Sequence, residues 1–237
     1  MPSTVPSGAA ALELPGPVLG VDTSAGASVG LSWAGGNGIV QWSEHPRNQV
    51  EELIPLVNAV LTEAALKPTD VAAIAAGTGP ATYTGLRIGL ATVRTLGFAL
   101  GIPVWGVCAL DALAADAAAR LSLPPGLRIL ATGDARRREI FWARYLTDDA
   151  GPPLPLDPPT VGAASEAPGA EIIVGGGAAL YPGVLRPAPG GPDRVDPLVL
   201  AGLGAARAAR GVDQPAEPIY LRRPDIAPPS PRKRVTA

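Results

Sequence analysis

The stretch from Gly77 to Leu100 constrains this chain more than any other. Gly77 to Arg87 reads GTGPATYTGLR and follows the apolar run Val71 to Ala76. It leads into a helical pattern in which Leu86, Leu90, Val93, Leu96 and Leu100 recur at helical intervals before Gly101 ends it. Within this predicted helix, Thr84 to Leu100, Gly85, Gly89 and Gly97 share one row with Val93 at i, i+4 steps. Each interior glycine costs about 1 kcal/mol relative to alanine, so the row requires compensation. A stripe almost without side chains admits another backbone, which can belong to this chain's own sheet or to a second protein. Arg87 and Arg94 share a common face and offer charged rim contacts if the stripe is an interface, or are simply solvated. The loop before the helix looks like a phosphate cradle, because helix N-termini favour anions. It lacks the Gly-Lys-Ser/Thr ending of a P-loop.

Around this stretch the sequence predicts two related halves. Val18 to Asp22 reads as a buried strand, and Val29, Leu31 and Trp33 alternate with small polar residues as a second. A tight turn at Gly35-Gly36-Asn37-Gly38 returns the chain through Ile39 to Trp42. Val50, Leu53, Ile54, Val57, Val60, Leu61 and Ala64 then recur at helical spacing, with Pro55 expected to kink that helix. Val71 to Ala76 and Val104 to Val107 complete a mixed sheet, and Ala109 to Leu121 is the helix joining the halves.

The second half echoes the first with strands at Leu127 to Thr132, Glu139 to Leu146 and Glu171 to Val174. Pro152 to Pro159 is too proline-rich for a central strand, so the third strand here is expected at an edge or missing. Asp196 and Pro197 cap a last helix that Gly211 closes. The expected layout is a leader at 1–17, one lobe at 18–108, a second at 109–223 and a tail at 224–237.

Composition enters through what it excludes. The single His45 rules out a histidine-pair metal site within the 237 residues. The one Gly-x-Ser-x-Gly string, at 26–30, leads into the predicted second strand and not into a helix, so it does not form the strand-turn-helix elbow of a serine hydrolase, and a peptidase is left with little support. The lone Cys108 forbids an intrachain disulfide and reads as a small buried hydrophobe. No apolar run reaches the roughly 20 residues of a membrane span. The N-terminal stretch also lacks the pattern of a signal peptide, so the expected compartment is the cytoplasm.

A formal charge of −2 offers nucleic acid no overall attraction, so any RNA contact must be local. Arg136-Arg137-Arg138 is the densest internal positive patch, read as a solvated turn or a phosphate contact. Asp22 and Thr23 after the first strand, with Gly175 and Gly176 after a later one, are candidates for bracketing a nucleotide, as ligands in open sheets gather at strand ends. They equally read as turn chemistry. An ATP-dependent phosphotransferase is the competing functional reading.

Four segments, VLGVDTSAGASVGLSW at 18–33, GTGPATYTGLRIGLATVRTLGFALGIPVWGVCALDALA at 77–114, GDARRREIFWARY at 133–145 and EPIYLRRPD at 217–225, together resemble the TsaB family. This is the YeaZ-like family of tRNA threonylcarbamoyladenosine biosynthesis proteins, once grouped with glycoproteases. Ala81 and Arg138 stand where that family often has glycine. The resemblance implies a two-lobed α/β fold of the actin, hexokinase and Hsp70 type (ribonuclease H-like), with mixed sheets flanked by helices. It implies a non-catalytic scaffold that holds no cofactor of its own and pairs with a homologous, metal-holding TsaD-type subunit. That partner transfers a threonylcarbamoyl group to N6 of the adenine beside the tRNA anticodon. A TsaE-type ATPase joins them, ATP or ADP and metal reside in the partner subunits, and tRNA is engaged through the complex. Two copies can pair through the same surface when the partner is missing. The resemblance turns the glycine stripe toward an interface, with Gly85, Arg87, Gly89, Val93, Arg94 and Gly97 as expected contacts, joined by Val50, Leu53 and Val57. On that expectation Gly89→Leu blocks pairing and leaves the fold intact.

Overall fold

A computed structural model describes residues 16–33, 37–43 and 49–222. His45, most of the leader, the 224–237 tail and the tip of the first hairpin turn lie outside the described residues.

The first sheet is built from β1 (Val18–Asp22), β2 (Ser28–Trp33), β3 (Asn37–Trp42), β4 (Ala73–Gly77) and β5 (Val104–Val107), in spatial order β3-β2-β1-β4-β5. β1, β2 and β3 run antiparallel as a meander, and β1, β4 and β5 run parallel. The parallel pairs need crossovers. These are α1 (Gln49–Glu63), with Pro55 inside it, and α2 (Tyr83–Leu100), which ends on Gly101 at φ +67°.

Alternation along the strands sends side chains to two buried faces. Leu19, Val21, Val29, Leu31, Ile74 and Ala76 meet Leu53, Val57, Val60 and Leu61 of α1 and Leu86, Leu90 and Val93 of α2. Val18, Ala73, Ala75 and Val107 point the other way, into a core with α3 (Ala109–Arg120) and α5 (Pro197–Ala209).

The second sheet repeats the plan in shortened form. β6 (Arg128–Asp134) and β7 (Glu139–Leu146) form an antiparallel hairpin, and β10 (Ile172–Val174) lies parallel to β6 as β4 does to β1. The expected edge strand is present but divided between β8 (Leu154–Pro155) and β9 (Thr160–Ala163), both paired to β7. Prolines remove ladder donors there, so pairing continues only where the chain leaves the proline run. The triple glycine opens α4 (Gly176–Leu180), a short helix that the sequence pattern did not announce.

α5 does not stay with the lobe that precedes it. Asp196 caps it by accepting from the Leu198 amide at 2.9 Å, and the helix then crosses the first sheet, packing on β1, β2, β4 and β5. Leu200, Ala201 and Leu203 of α5 thus share one core with the first sheet and with α3, β6, β7 and β10, so α5 bridges the two halves. A strap beyond α5 continues the return. The Gly106 amide donates to the Gln214 carbonyl at 2.9 Å, and the Ile219 amide donates to Thr78 at 2.8 Å.

Candidate docking face and interlobe cleft

α2 has two faces of different character. Gly85, Leu86, Gly89, Leu90, Val93 and Gly97 are buried. A Cβ at Gly89 would run into the Thr23 hydroxyl and sit 2.9 Å from its methyl, and one at Gly97 would run into a Val104 methyl. The Thr23 hydroxyl also donates to the Gly85 carbonyl at 3.0 Å. The glycine row thus lets α2 approach β1 and β5 of its own chain. This corrects the expectation that Gly85, Gly89, Val93 and Gly97 meet a partner, because intrachain packing already covers them. Leu53 and Val57 on α1 fail as contacts for the same reason, being 1% and 6% exposed in the same core. The Val50 side chain lies outside the described residues.

Arg87 and Arg94 are exposed, on the opposite face. They belong to a stripe of exposed residues at Thr84, Arg87, Ala91, Arg94 and Phe98, at alternating three- and four-residue steps as on the seam of a helix pair, with exposed Thr95 beside it. Phe98 is 91% exposed in the middle of an otherwise well-packed lobe. α1 packs alongside α2 and adds Ile54, 43% exposed, so the two helices present one outer surface. Sequence reasoning missed Phe98, Ala91 and Ile54. The readable signal was that Phe98 falls outside the Leu86, Leu90, Val93 row.

At its N-terminal end α2 meets the strap. Arg87 lies over the Tyr83 ring, 4.3 Å from its centroid, and donates through Nε to the Tyr220 hydroxyl at 3.1 Å. Tyr83 and Tyr220 pack with ring centroids 5.1 Å apart. Farther along the strap, Arg222 donates to the Ala135 carbonyl at 2.9 Å and pairs with Glu139, both on the β6–β7 hairpin.

Between the lobes lies a cleft of about 530 Å³, lined among others by Ser24, Thr82, Thr84, Thr132, Asp134, Arg136, Gly176 and Arg194. The residues proposed to grip a nucleotide are engaged elsewhere. Asp22 does not line the cleft and is 3% exposed. Its Oδ1 accepts from the Ser24 amide at 2.9 Å and the Ser24 hydroxyl at 2.5 Å, while Oδ2 faces Gly77 with no hydrogen-bond partner. Burial pushes its carboxyl up to about 6, against the pull of the Ser24 donors.

Thr23 is committed to Gly85. Gly175, at φ +95°, has no room for a Cβ against the Thr132 carbonyl, and the Thr132 hydroxyl accepts from the Ala178 amide at 2.8 Å. The triple glycine therefore closes β10 onto β6, and of the four candidates only Gly176 reaches the cleft wall.

Among the described residues no group of His, Cys, Asp and Glu is arranged to hold a metal ion. Cys108 is half-buried at the start of α3, and desolvation with the neighbouring Asp111 pushes its thiol up to about 12, so it stays protonated at neutral pH. Ala81 adopts no positive φ, so its replacement of glycine leaves the loop unstrained.

The family model TsaD, tRNA N6-adenosine threonylcarbamoyltransferase, matches residues 37–150. An uncharacterized protein of Mycobacterium tuberculosis is 39% identical over 188 residues, covering 77% of this chain and 79% of that one. The tRNA threonylcarbamoyladenosine biosynthesis protein TsaB of Escherichia coli is 32% identical over 134 residues, 56% of this chain and 57% of its own. The solved structure of YeaZ from Pseudomonas aeruginosa superposes with a TM-score of 0.74 at 29% identity, covering 87% of this chain and all of that one. The chain belongs to the TsaB family. The TsaB relationship accounts for the two shortened, related halves and for the actin-like, ribonuclease H-like topology of the sheets. The match to a TsaD model runs from β3 through β7, so parts of both lobes are similar to that family as well. No helix among the described residues is long and apolar enough to cross a membrane.

Proposed function

We propose that this chain serves tRNA threonylcarbamoyladenosine biosynthesis as a non-catalytic scaffold, docking through the outer face of α1 and α2 onto a homologous TsaD-type transferase subunit. The observation that carries the docking assignment is Phe98, 91% exposed on a helix stripe that repeats at the spacing of a helix–helix seam. Arg87 and Arg94 flank it as cations that can pair with carboxylates at the rim of an interface. The role itself is supported by kinship with TsaB of Escherichia coli and Bacillus subtilis and with YeaZ. The non-catalytic reading is supported by the single histidine, which denies the chain a histidine-pair metal site. Work in the cytoplasm, recruitment of a TsaE-type ATPase and self-pairing without the partner belong to the same reading.

Reconstitution of tRNA modification with and without this chain, using the transferase subunit from the same cell, tests the role. Modification that proceeds equally without the chain sinks it. The docking face is tested by Phe98→Glu, expected to abolish copurification with the transferase subunit while the circular dichroism melt stays unchanged. Binding at wild-type strength would move the interface elsewhere. The competing phosphotransferase reading gains nothing from the buried Asp22. Calorimetry with ATP and magnesium would revive it only if tight binding vanished in Asp22→Ala.

A further inference from the structure

The β6–β7 turn carries a feature that neither the fold nor the docking face explains. Arg136, Arg137 and Arg138 follow one another at φ +59°, +55° and +64°. Left-handed backbone is strained for side chains other than glycine, and asparagine tolerates it best among the rest. All three arginines are exposed, so no side-chain burial compensates the strain. A turn that needed only its shape would be more stable with glycine or asparagine, and the sequence instead places a guanidinium at every position.

The surroundings extend the charge. Arg222 reaches the same hairpin through the Ala135 carbonyl and Glu139, and two residues earlier Tyr220 packs on Tyr83 and takes the Arg87 hydrogen bond. Arginines and aromatic rings therefore alternate along one connected path, from the N-terminal end of α2 through the strap to the turn. Around the turn itself, Arg136, Arg137, Arg138 and Arg222 outnumber Asp134 and Glu139, in a chain whose formal net charge is −2, while Asp213 and Glu217 lie farther back along the strap. Arg136 pairs with Asp134 at 2.9 Å, which holds the turn while leaving the cluster positive.

We infer that this path binds the sugar-phosphate backbone of the tRNA substrate directly, with the Arg136–Arg138 turn as its principal contact. The inference rests on the proposed role in tRNA modification. Phosphate oxygens are matched by guanidinium forks, and the exposed Tyr220 ring beside them can take an unstacked base. Such contacts position RNA without reading its sequence.

The test uses the full chain assembled with its transferase subunit and a tRNA transcript carrying the target adenine. The triple variant Arg136→Asn, Arg137→Asn and Arg138→Asn removes the charge while keeping residues that tolerate the turn. Pairing with the transferase subunit should be unchanged. The tRNA dissociation constant should rise roughly tenfold at physiological salt, and the slope of log affinity against log salt should flatten by about 2. The corresponding triple lysine variant should recover most of the slope. Should the asparagine triple melt early, Arg138→Asn alone is expected to flatten the slope by about 1.

Unaltered affinity and slope would overturn the inference. So would unchanged tRNA binding with lost recruitment of the ATPase subunit, which would make the turn a protein contact. Failure of the wild-type chain to pair with the transferase subunit or stimulate modification would instead refute the underlying role.

Discussion

Asp22 shows how a single residue can serve the fold at a cost to its stability at neutral pH. Its carboxyl is buried with one oxygen unpartnered, and its pKa rises from the ordinary 3.8 to about 6. Below the unfolded value both states hold the proton and the fold bears no penalty. As pH rises from about 4 through 6, the unfolded chain releases its proton first, and stability is lost progressively. The full effect is on the order of 3 kcal/mol by linkage. Thermal melts between pH 4 and 7 should therefore show a decline in the wild type that Asp22→Asn flattens, since asparagine can accept both Ser24 donors and carries no charge. Gly89 gives the opposite lesson. Gly89→Leu should destabilise the fold by about 3 kcal/mol or more through overpacking against Thr23, read in urea titrations. It is thus a probe of the core and a poor probe of docking.

Helix α2 was the most legible element and also the most misread. Its span, its Gly101 stop and its glycine row all followed from spacing, because helical period and glycine chemistry act locally. Which neighbour the row would meet did not follow, since that depends on where β1 and β5 lie in space. A row of glycines announces a close approach and leaves the approaching group unnamed. The divided edge of the second sheet was half-legible: proline excluded a long strand, while the short pairing of Thr160 to Ala163 depends on a β7 edge that only the tertiary structure supplies.

At this scale, the outer stripe predicts a graded series. Ala91→Arg should weaken binding to the transferase subunit by crowding the seam, Phe98→Ala should weaken it by about 2 kcal/mol as a lost anchor, and Thr95→Ala should change it little. Titration calorimetry on the heterodimer would rank them, and an inverted order would argue that α1 dominates the contact.

For the molecule as a whole, the two-lobe plan was legible from repeated strand and turn grammar, whereas the return of α5 was not. Nothing in Pro197 to Ala209 says which sheet it will cover, because its apolar face suits either. The strap adds a second tie, holding the first sheet, the start of α2 and the β6–β7 hairpin together. Arg222→Ala should release the hairpin, raising amide exchange at Ala135 and Glu139 with little change in overall melting, as expected for one partly exposed contact set.

The return of α5 also bears on how the protein is made. Val18, Ala73 and Ala75 are synthesised well before the helix that covers them. On the ribosome, the first sheet must wait with one apolar face bare until α5 emerges. Completion of the N-terminal lobe therefore waits for α5, and until then that apolar face is open to non-native contacts.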